Sequence, residues 1–248
     1  MLELRSVGYR YPGYRKPALE GIDLSIGEGE IVGLVGRNGA GKSTLCLVAS
    51  GLAPASVGGE LTGDVLVDGS STRGLRPDET AGRVGIVFAS PTSQLSGITG
   101  TVFEEVALGA VNLGLPVSET VARARGALEA LGVGDLAERA PDRLSGGQAQ
   151  LVAIASMLAM GPRHLVLDEP TAELDPEGRG LVGEALRGLA GSGTSVLIAE
   201  HDMDLLTSSC SRLVAIDAGR IVFDLPIAEG NRDPRLVALG VAREAVPA

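Results

Sequence analysis

The chain has 248 residues, 44% of them apolar and 21% charged. That is enough for one large domain, or two small ones, with a continuous core. Thirty-one acids against 21 bases give a net charge of −10, which argues against a general nucleic-acid binder, because such a protein needs a basic excess to neutralise phosphates.

Lys16 and Lys42 are the only lysines, Trp is absent, and aromatic residues amount to three Phe and three Tyr. Cys46 and Cys210 stand alone, without metal-ligand spacing, and read as small buried thiols of a reducing compartment. The N-terminal stretch has no apolar run of signal-peptide length. The longest apolar stretch, Leu151 to Met160, is interrupted by Ser156 and is far short of a membrane span. The expectation is a soluble chain that serves a membrane, if at all, from outside the bilayer.

In chain order, Leu2–Tyr11 alternates weakly, and Ile22–Ile26 and Glu30–Val35 read as strands set off by Gly27 and Gly29. A helix is expected over Lys42–Gly51, then a strand at Asp64–Asp68 bounded by Gly63 and Gly69. Val84–Phe88 has the length of a buried strand. The pattern then turns helical over Thr101–Leu113, Ser118–Leu131 and Ser145–Met160. The last third alternates: strand His164–Leu167, helix Pro176–Leu189, strand Ser195–Ala199, helix Asp202–Ser208, strand Arg212–Ile216. Such alternation predicts a parallel sheet covered on both faces, with the helical middle as an inserted lobe. The tail after Phe223 is polar and contains proline, and no element is assigned to it.

Gly36-Arg37-Asn38-Gly39-Ala40-Gly41-Lys42-Ser43-Thr44 lies between a predicted strand and a predicted helix. It fits G-x-x-x-x-G-K-[ST] in its required setting. The glycines let backbone N–H groups turn inward around phosphate, and the helix start adds a positive dipole end. Lys42 is expected on the β- and γ-phosphates and the Ser43 hydroxyl on Mg²⁺. An ordinary glycine-rich turn is the alternative for this string.

Leu165-Val166-Leu167-Asp168-Glu169 is an apolar strand ending in two acids, a costly arrangement unless a cation or a reaction uses them. Asp168 suits the Mg²⁺ role, and Glu169 suits the orientation and deprotonation of an attacking water. His201 follows the strand Ser195–Ala199 at its C-terminal end, where ligands bind on open α/β sheets, whereas His164 leads into a strand and reads as structural.

Leu144-Ser145-Gly146-Gly147-Gln148 opens the helix that runs to Met160. By chemistry alone it is a glycine-containing helix start. Together with the phosphate loop and Asp168-Glu169, it resembles the signature of the ABC ATPases, over about Met1 to Phe223. That resemblance implies an α/β fold of the P-loop NTPase, RecA-like kind: a parallel-sheet core, an N-terminal antiparallel β subdomain and an inserted α-helical subdomain. It implies one ABC ATPase domain over 1–248. The nucleotide-binding core would be 1–88 and 161–225, the helical signature subdomain 89–160, and the C-terminal tail 226–248.

The resemblance further implies ATP and Mg²⁺. Tyr11 would stack on adenine, while Tyr9, in register with Val7, reads as core. Gly36 through Thr44 would hold the phosphates. Ser145, Gly146, Gly147, Gln148 and Asp175, the last within a D-loop-like Ala172-Glu173-Leu174-Asp175, would contact nucleotide across a pair of ATPase domains. Lys42, Glu169 and His201 would be the catalytic residues, with Ser43 and Asp168 on the metal.

Three further strings look like the energy-coupling-factor branch, which powers uptake of vitamins and transition-metal ions: Ser90–Leu95, Thr101–Gly109 and Asn112–Pro116. The implied partners are a second ABC ATPase subunit and integral membrane transporter subunits, with no nucleic acid and no direct lipid insertion. The implied place is the cytoplasmic face of the membrane. There are two departures. Ala89 stands where the family usually has a Gln, with Gln94 the nearest one, and Ala149 and Leu151 stand where basic residues usually follow the signature. Both bear on coupling between subunits more than on ATP binding. A non-transport ABC ATPase of the iron–sulfur assembly kind is the alternative. A chromosome-type ATPase would need a coiled-coil insertion, translation-associated ABC proteins would need two ATPase domains, and a small GTPase would need an Asn-Lys-x-Asp base reader that two lysines elsewhere exclude.

Overall fold

The computed structural model describes residues 1–91 and 94–241. Thr92 and Ser93 of the string Ser90–Leu95, and residues 242–248 of the tail, lie outside the described residues.

Two sheets organise the chain. The first is antiparallel, built from β1 (Leu2–Arg10), β2 (Leu19–Ile26), β4 (Glu60–Val67) and the short β5 (Ser70–Ser71), in the order β2-β1-β4-β5. The strand expected to begin at Asp64 starts four residues earlier. Gly63 does not end it but sits inside it at φ +72°, where a Cβ would lie 2.3 Å from the Ser6 carbonyl oxygen. The β1–β4 register shifts between Arg5 and Gly8. This is a β-bulge that only glycine fits, and from sequence it reads as a boundary.

The second sheet contains β3 (Ile31–Val35), β6 (Val84–Val87), β7 (His164–Asp168), β8 (Ser195–Ala199), β9 (Arg212–Asp217) and β10 (Arg220–Pro226), in the order β10-β9-β3-β8-β7-β6. Five strands are parallel, as the alternation predicts. The edge strand β10 is antiparallel to β9, joined by a turn whose central residues Ala218 and Gly219 both have positive φ, the geometry of a tight hairpin. Ala218 in place of the usual Asn or Asp hides that hairpin from sequence.

The strands are buried on both faces and divide their side chains with period two. Ile31, Val35, Leu165, Leu167, Val196, Ile198, Leu213 and Ala215 enter one core. Val32, Leu34, Val166, Leu197, Ala199, Val214 and Ile216 enter the other. The first core is closed by α4 (Val102–Asn112), α5 (Val117–Ala130), α6 (Gly146–Met160), α7 (Pro176–Gly191) and α8 (Met203–Ser209). The second is closed by α1 (Lys42–Ala49) and the antiparallel sheet, with α2 (Leu52–Ala55) beside them and α3 (Pro77–Thr80) preceding β6. Each fully buried Leu, Ile or Val contributes roughly 1.5–3 kcal/mol, so the sheet is the rigid frame from whose strand ends the site is hung. The tail also packs: α9 (Ile227–Gly230) and α10 (Arg235–Ala238) follow β10, and Leu236 and Leu239 are buried in the first core.

Candidate nucleotide site

The loop from Gly36 to Gly41 turns between β3 and α1. Gly36 has no room for a side chain, since a Cβ would lie 2.3 Å from the Ile216 carbonyl oxygen, and Gly41 has φ +112°. Gly41 is also the N-cap of α1, with no side-chain capping bond and no acid in the first turn. The helix start therefore carries no capping side chain and no acid of its own.

Lys42 is 4% exposed. Its ammonium donates to the Gly36 carbonyl at 3.0 Å, lies 3.2 Å from His201 Nε2 and stands 3.7 Å from Glu169 Oε1. His201 Nε2 in turn lies 3.0 Å from Glu169 Oε1. Beside this trio, Ser43 Oγ donates to Asp168 Oδ1 at 3.1 Å. Burial pushes the Asp168 carboxyl above its ordinary value, while the Ser43 hydrogen bond acts the other way. Residues from the ends of three parallel strands and the start of one helix thus meet within hydrogen-bonding reach.

Backbone strain marks the same place. Glu169 has φ +50°, uncommon for a residue with a side chain, and its N–H donates to the Ala199 carbonyl at 2.8 Å. Glu200, which sequence reasoning did not single out, organises the neighbouring turns. Its buried carboxylate accepts from the Thr171 N–H at 3.0 Å and from the Thr171 hydroxyl, and from the His201 N–H at 2.7 Å. It ties the loop after Glu169 to the turn carrying His201. The partners are 29 residues apart, so no local pattern announces the contact.

A cleft of about 940 Å³ opens here, lined by Tyr11, Lys16, Asn38, Gly39, Gly41, Lys42, Ser43, Thr44, Glu169 and Gly219 among others. Arg37 turns away to an ion pair with Asp217 at 2.9 Å, and Ala40 is buried. Tyr11 hydrogen-bonds Thr44 Oγ1 through its hydroxyl at 3.1 Å and meets the Tyr9 ring edge-on at 4.9 Å. Tyr9 itself is buried, donating to the Gly58 carbonyl at 2.6 Å. His164 is buried too, with Nε2 3.2 Å from Asp68 Oδ1, remote in role from the cleft.

The signature does not line this cleft. Ser145 is the N-cap of α6, accepting from the Gln148 N–H at 3.3 Å, while Gln148 Oε1 accepts from the Ser145 N–H at 3.1 Å. Asp175 caps α7, accepting from the Gly178 N–H at 2.8 Å. Gln94 does not line the cleft either. Its amide accepts from the Phe88 N–H at 3.0 Å and donates to the Ile86 carbonyl at 2.9 Å.

Mg²⁺ takes hard oxygen donors, commonly one or two from protein with the rest from phosphate and water. The Ser43 hydroxyl and the Asp168 carboxylate, held 3.1 Å apart, are such a pair, and the partly desolvated carboxylate is a group that a cation would relieve.

A phosphate loop, two strand-end acids and a strand-end histidine on a mostly parallel sheet define a P-loop ATPase. Residues 19–172 match the ABC transporter family, and the chain belongs to it. A putative ABC transporter ATP-binding protein of Pyrococcus horikoshii is 43% identical over 225 residues, covering 90% of this chain and 78% of that one. The energy-coupling factor transporter ATP-binding protein EcfA of Methanothermobacter thermautotrophicus is 40% identical over 240 residues, covering 96% and 74%. Among solved structures, cbiO1 of Clostridium perfringens, described as part of the ABC transporter complex cbiONQ, superposes with a TM-score of 0.80 at 32% identity, covering 96% and 92%. The dimeric ATP-binding cassette MJ0796, in a post-hydrolysis state with ADP and Pi, superposes at 0.79 and 28% identity, covering 92% and 99%. The chain is an ATP-hydrolysing subunit of an ABC transporter. No described helix is long and apolar enough to cross a membrane.

Proposed function

We propose that this ATPase powers an importer of the energy-coupling-factor kind, taking up a vitamin or a metal ion through integral membrane subunits from the cytoplasmic face of the membrane. The relatives named EcfA and the likeness to cbiO1 support the branch. The observation that carries the chemistry is the Lys42–His201–Glu169 cluster beside Ser43 and Asp168.

In this reading, 1–88 and 161–225 form the nucleotide core, 89–160 the helical lobe, and 226–248 the tail. The loop Gly36–Thr44 wraps the triphosphate and Tyr11 stacks on adenine. Lys42 exchanges its Glu169 and His201 contacts for the β- and γ-phosphate oxygens. Ser43 and Asp168 would hold Mg²⁺, which when bound neutralises phosphate charge. Glu169 accepts a proton from the attacking water as the new P–O bond forms and the bond to the ADP oxygen breaks. His201 hydrogen-bonds the γ-phosphate and keeps Glu169 aimed. Ser145, Gly146, Gly147, Gln148 and Asp175 act on the nucleotide of a second ATPase chain.

Affinity purification of the tagged chain from detergent-solubilised membranes tests the assignment. An integral membrane protein is expected to co-purify, and ATPase activity is expected to change when it is removed. Recovery of the chain with soluble proteins alone would overturn the importer assignment.

A further inference from the structure

The strand β6 is the edge of the parallel sheet nearest the helical lobe, and the chain leaves the core there through Phe88 and Ala89. Two glutamine side chains from outside the core grip this exit. Gln94 pairs its amide with the Ile86 carbonyl and the Phe88 N–H, the two groups that a neighbouring strand would bond, so a side chain stands in for a strand. Gln150 donates Nε2 to the Phe88 carbonyl at 3.2 Å.

Gln150 lies in α6, five residues after the N-cap Ser145 of the signature. It is wholly buried, at 0% exposure. Its other amide atom, Oε1, has no hydrogen-bond partner among the described residues. A buried acceptor left unpaired disfavours the state that contains it. A small shift of α6 against Phe88 and Ala89 that offers Oε1 a donor would lower that penalty. The contact is therefore not fully satisfied in this arrangement. It also joins the end of a core strand directly to the helix that presents the signature, at the position where Ala89 has no side-chain polar group of its own.

We propose that Gln94 and Gln150 form an amide clamp on Phe88 that sets the angle of the signature helix to the nucleotide core, and that Gln150 is a positioning residue for ATP hydrolysis. The clamp touches none of the residues lining the chain's own cleft, so it acts on turnover and not on the affinity of a single chain for nucleotide. This rests on the nucleotide site proposed above.

The test uses the full chain with Gln150→Met, Gln94→Leu and the double substitution. Methionine keeps the length of the side chain and removes both amide atoms, relieving the unpaired Oε1 but leaving the Phe88 carbonyl without its donor, so a merely structural role predicts at most a change in thermal stability, with unchanged kinetics. The clamp predicts a fall in kcat of about tenfold, the effect of one lost hydrogen bond, with the KM for ATP within about twofold. The double substitution should lose no more than the worse single, because both act through Phe88. Hydrogen–deuterium exchange of the Phe88 amide should quicken about tenfold in Gln94→Leu. A folded Gln150→Met with wild-type kcat, or losses that multiply, would overturn the clamp. Unchanged exchange at Phe88 would overturn it even if the wild type showed no ATPase, whereas absent wild-type hydrolysis with quickened exchange would count against the nucleotide site alone.

Discussion

Removing the Lys42 ammonium gives the sharpest reading of the nucleotide site. In the structure this buried amine has three partners: Gly36, His201 and Glu169. Binding a triphosphate therefore exchanges contacts rather than simply adding them. A hydrogen bond to a charged group contributes about 1.5–3 kcal/mol, and two phosphate oxygens would supply two such bonds. With the Glu169 and His201 contacts given up in return, the lower end applies, about 3 kcal/mol or about 100-fold in affinity. Lys42→Ala should weaken Mg-ATP binding by that factor in titration calorimetry. It should also leave the Gly36 carbonyl without its donor, lowering unfolding stability by about 1–2 kcal/mol but not abolishing the fold. A folded variant that binds Mg-ATP within about threefold of wild type would refute the phosphate role and the exchange argument together.

Glu169→Gln should bind ATP, turn it over very slowly and accumulate as an ATP-dependent dimer in size exclusion; rapid turnover would exclude Glu169 as the base. Asp168→Asn should separate stability from function. Because burial raises the folded-state value above the ordinary 3.8, the folded protein binds the proton more tightly than the unfolded chain, so this group's contribution to stability falls as pH rises through the folded value. Asp168→Asn should therefore melt at an equal or higher temperature than wild type at pH 7, lose that advantage at or below about pH 3.8, and lose Mg²⁺-dependent hydrolysis; a lower melting temperature at pH 7 would contradict the burial argument. With a net charge of −10, the purified chain should stay at the bottom of a flotation gradient with bare anionic vesicles, and co-flotation would rule out attachment through protein partners alone.

What the sequence discloses follows the range of the forces involved. The strand–loop–helix around Lys42 is legible because its causes are local: five consecutive buried positions in β3, four of them apolar side chains around Gly33, then glycines, then a helix. Asp168, Glu169 and His201 are legible because strand ends on a parallel sheet share one edge. Gly63 misleads because a bulge glycine and a boundary glycine look alike until the partner strand is known. The β10 hairpin is not legible because Ala218 adopts a positive φ that alanine rarely takes. Glu200 and Gln150 do not stand out in the sequence because their partners, Thr171 and Phe88, lie 29 and 62 residues away. The tail read as polar, yet Leu236 and Leu239 find the core, since two apolar residues suffice to dock a short segment already delivered by a strand.

The geometry of the signature bears on why one chain would be an incomplete enzyme. The Ser145 hydroxyl is engaged by the Gln148 N–H, so within the chain the helix start is already capped. A Cβ on Gly146 would lie 3.1 Å from the Glu173 carboxylate, and one on Gly147 would lie 3.2 Å from the Glu173 carbonyl oxygen. The signature is thus packed against the segment that ends in the α7 cap Asp175, and these two predicted nucleotide contacts sit on one surface. Neither lines the cleft that holds Lys42 and Glu169. In the proposed two-chain site, one chain would bring the phosphate loop and the base, while the other would bring signature and Asp175 together as a single packed unit. The angle of that unit to its own core would then decide whether both cleft edges close at once. The amide contact from Gln150 to Phe88 is a direct hydrogen bond from the signature helix to the end of β6, which is where such an angle would be set.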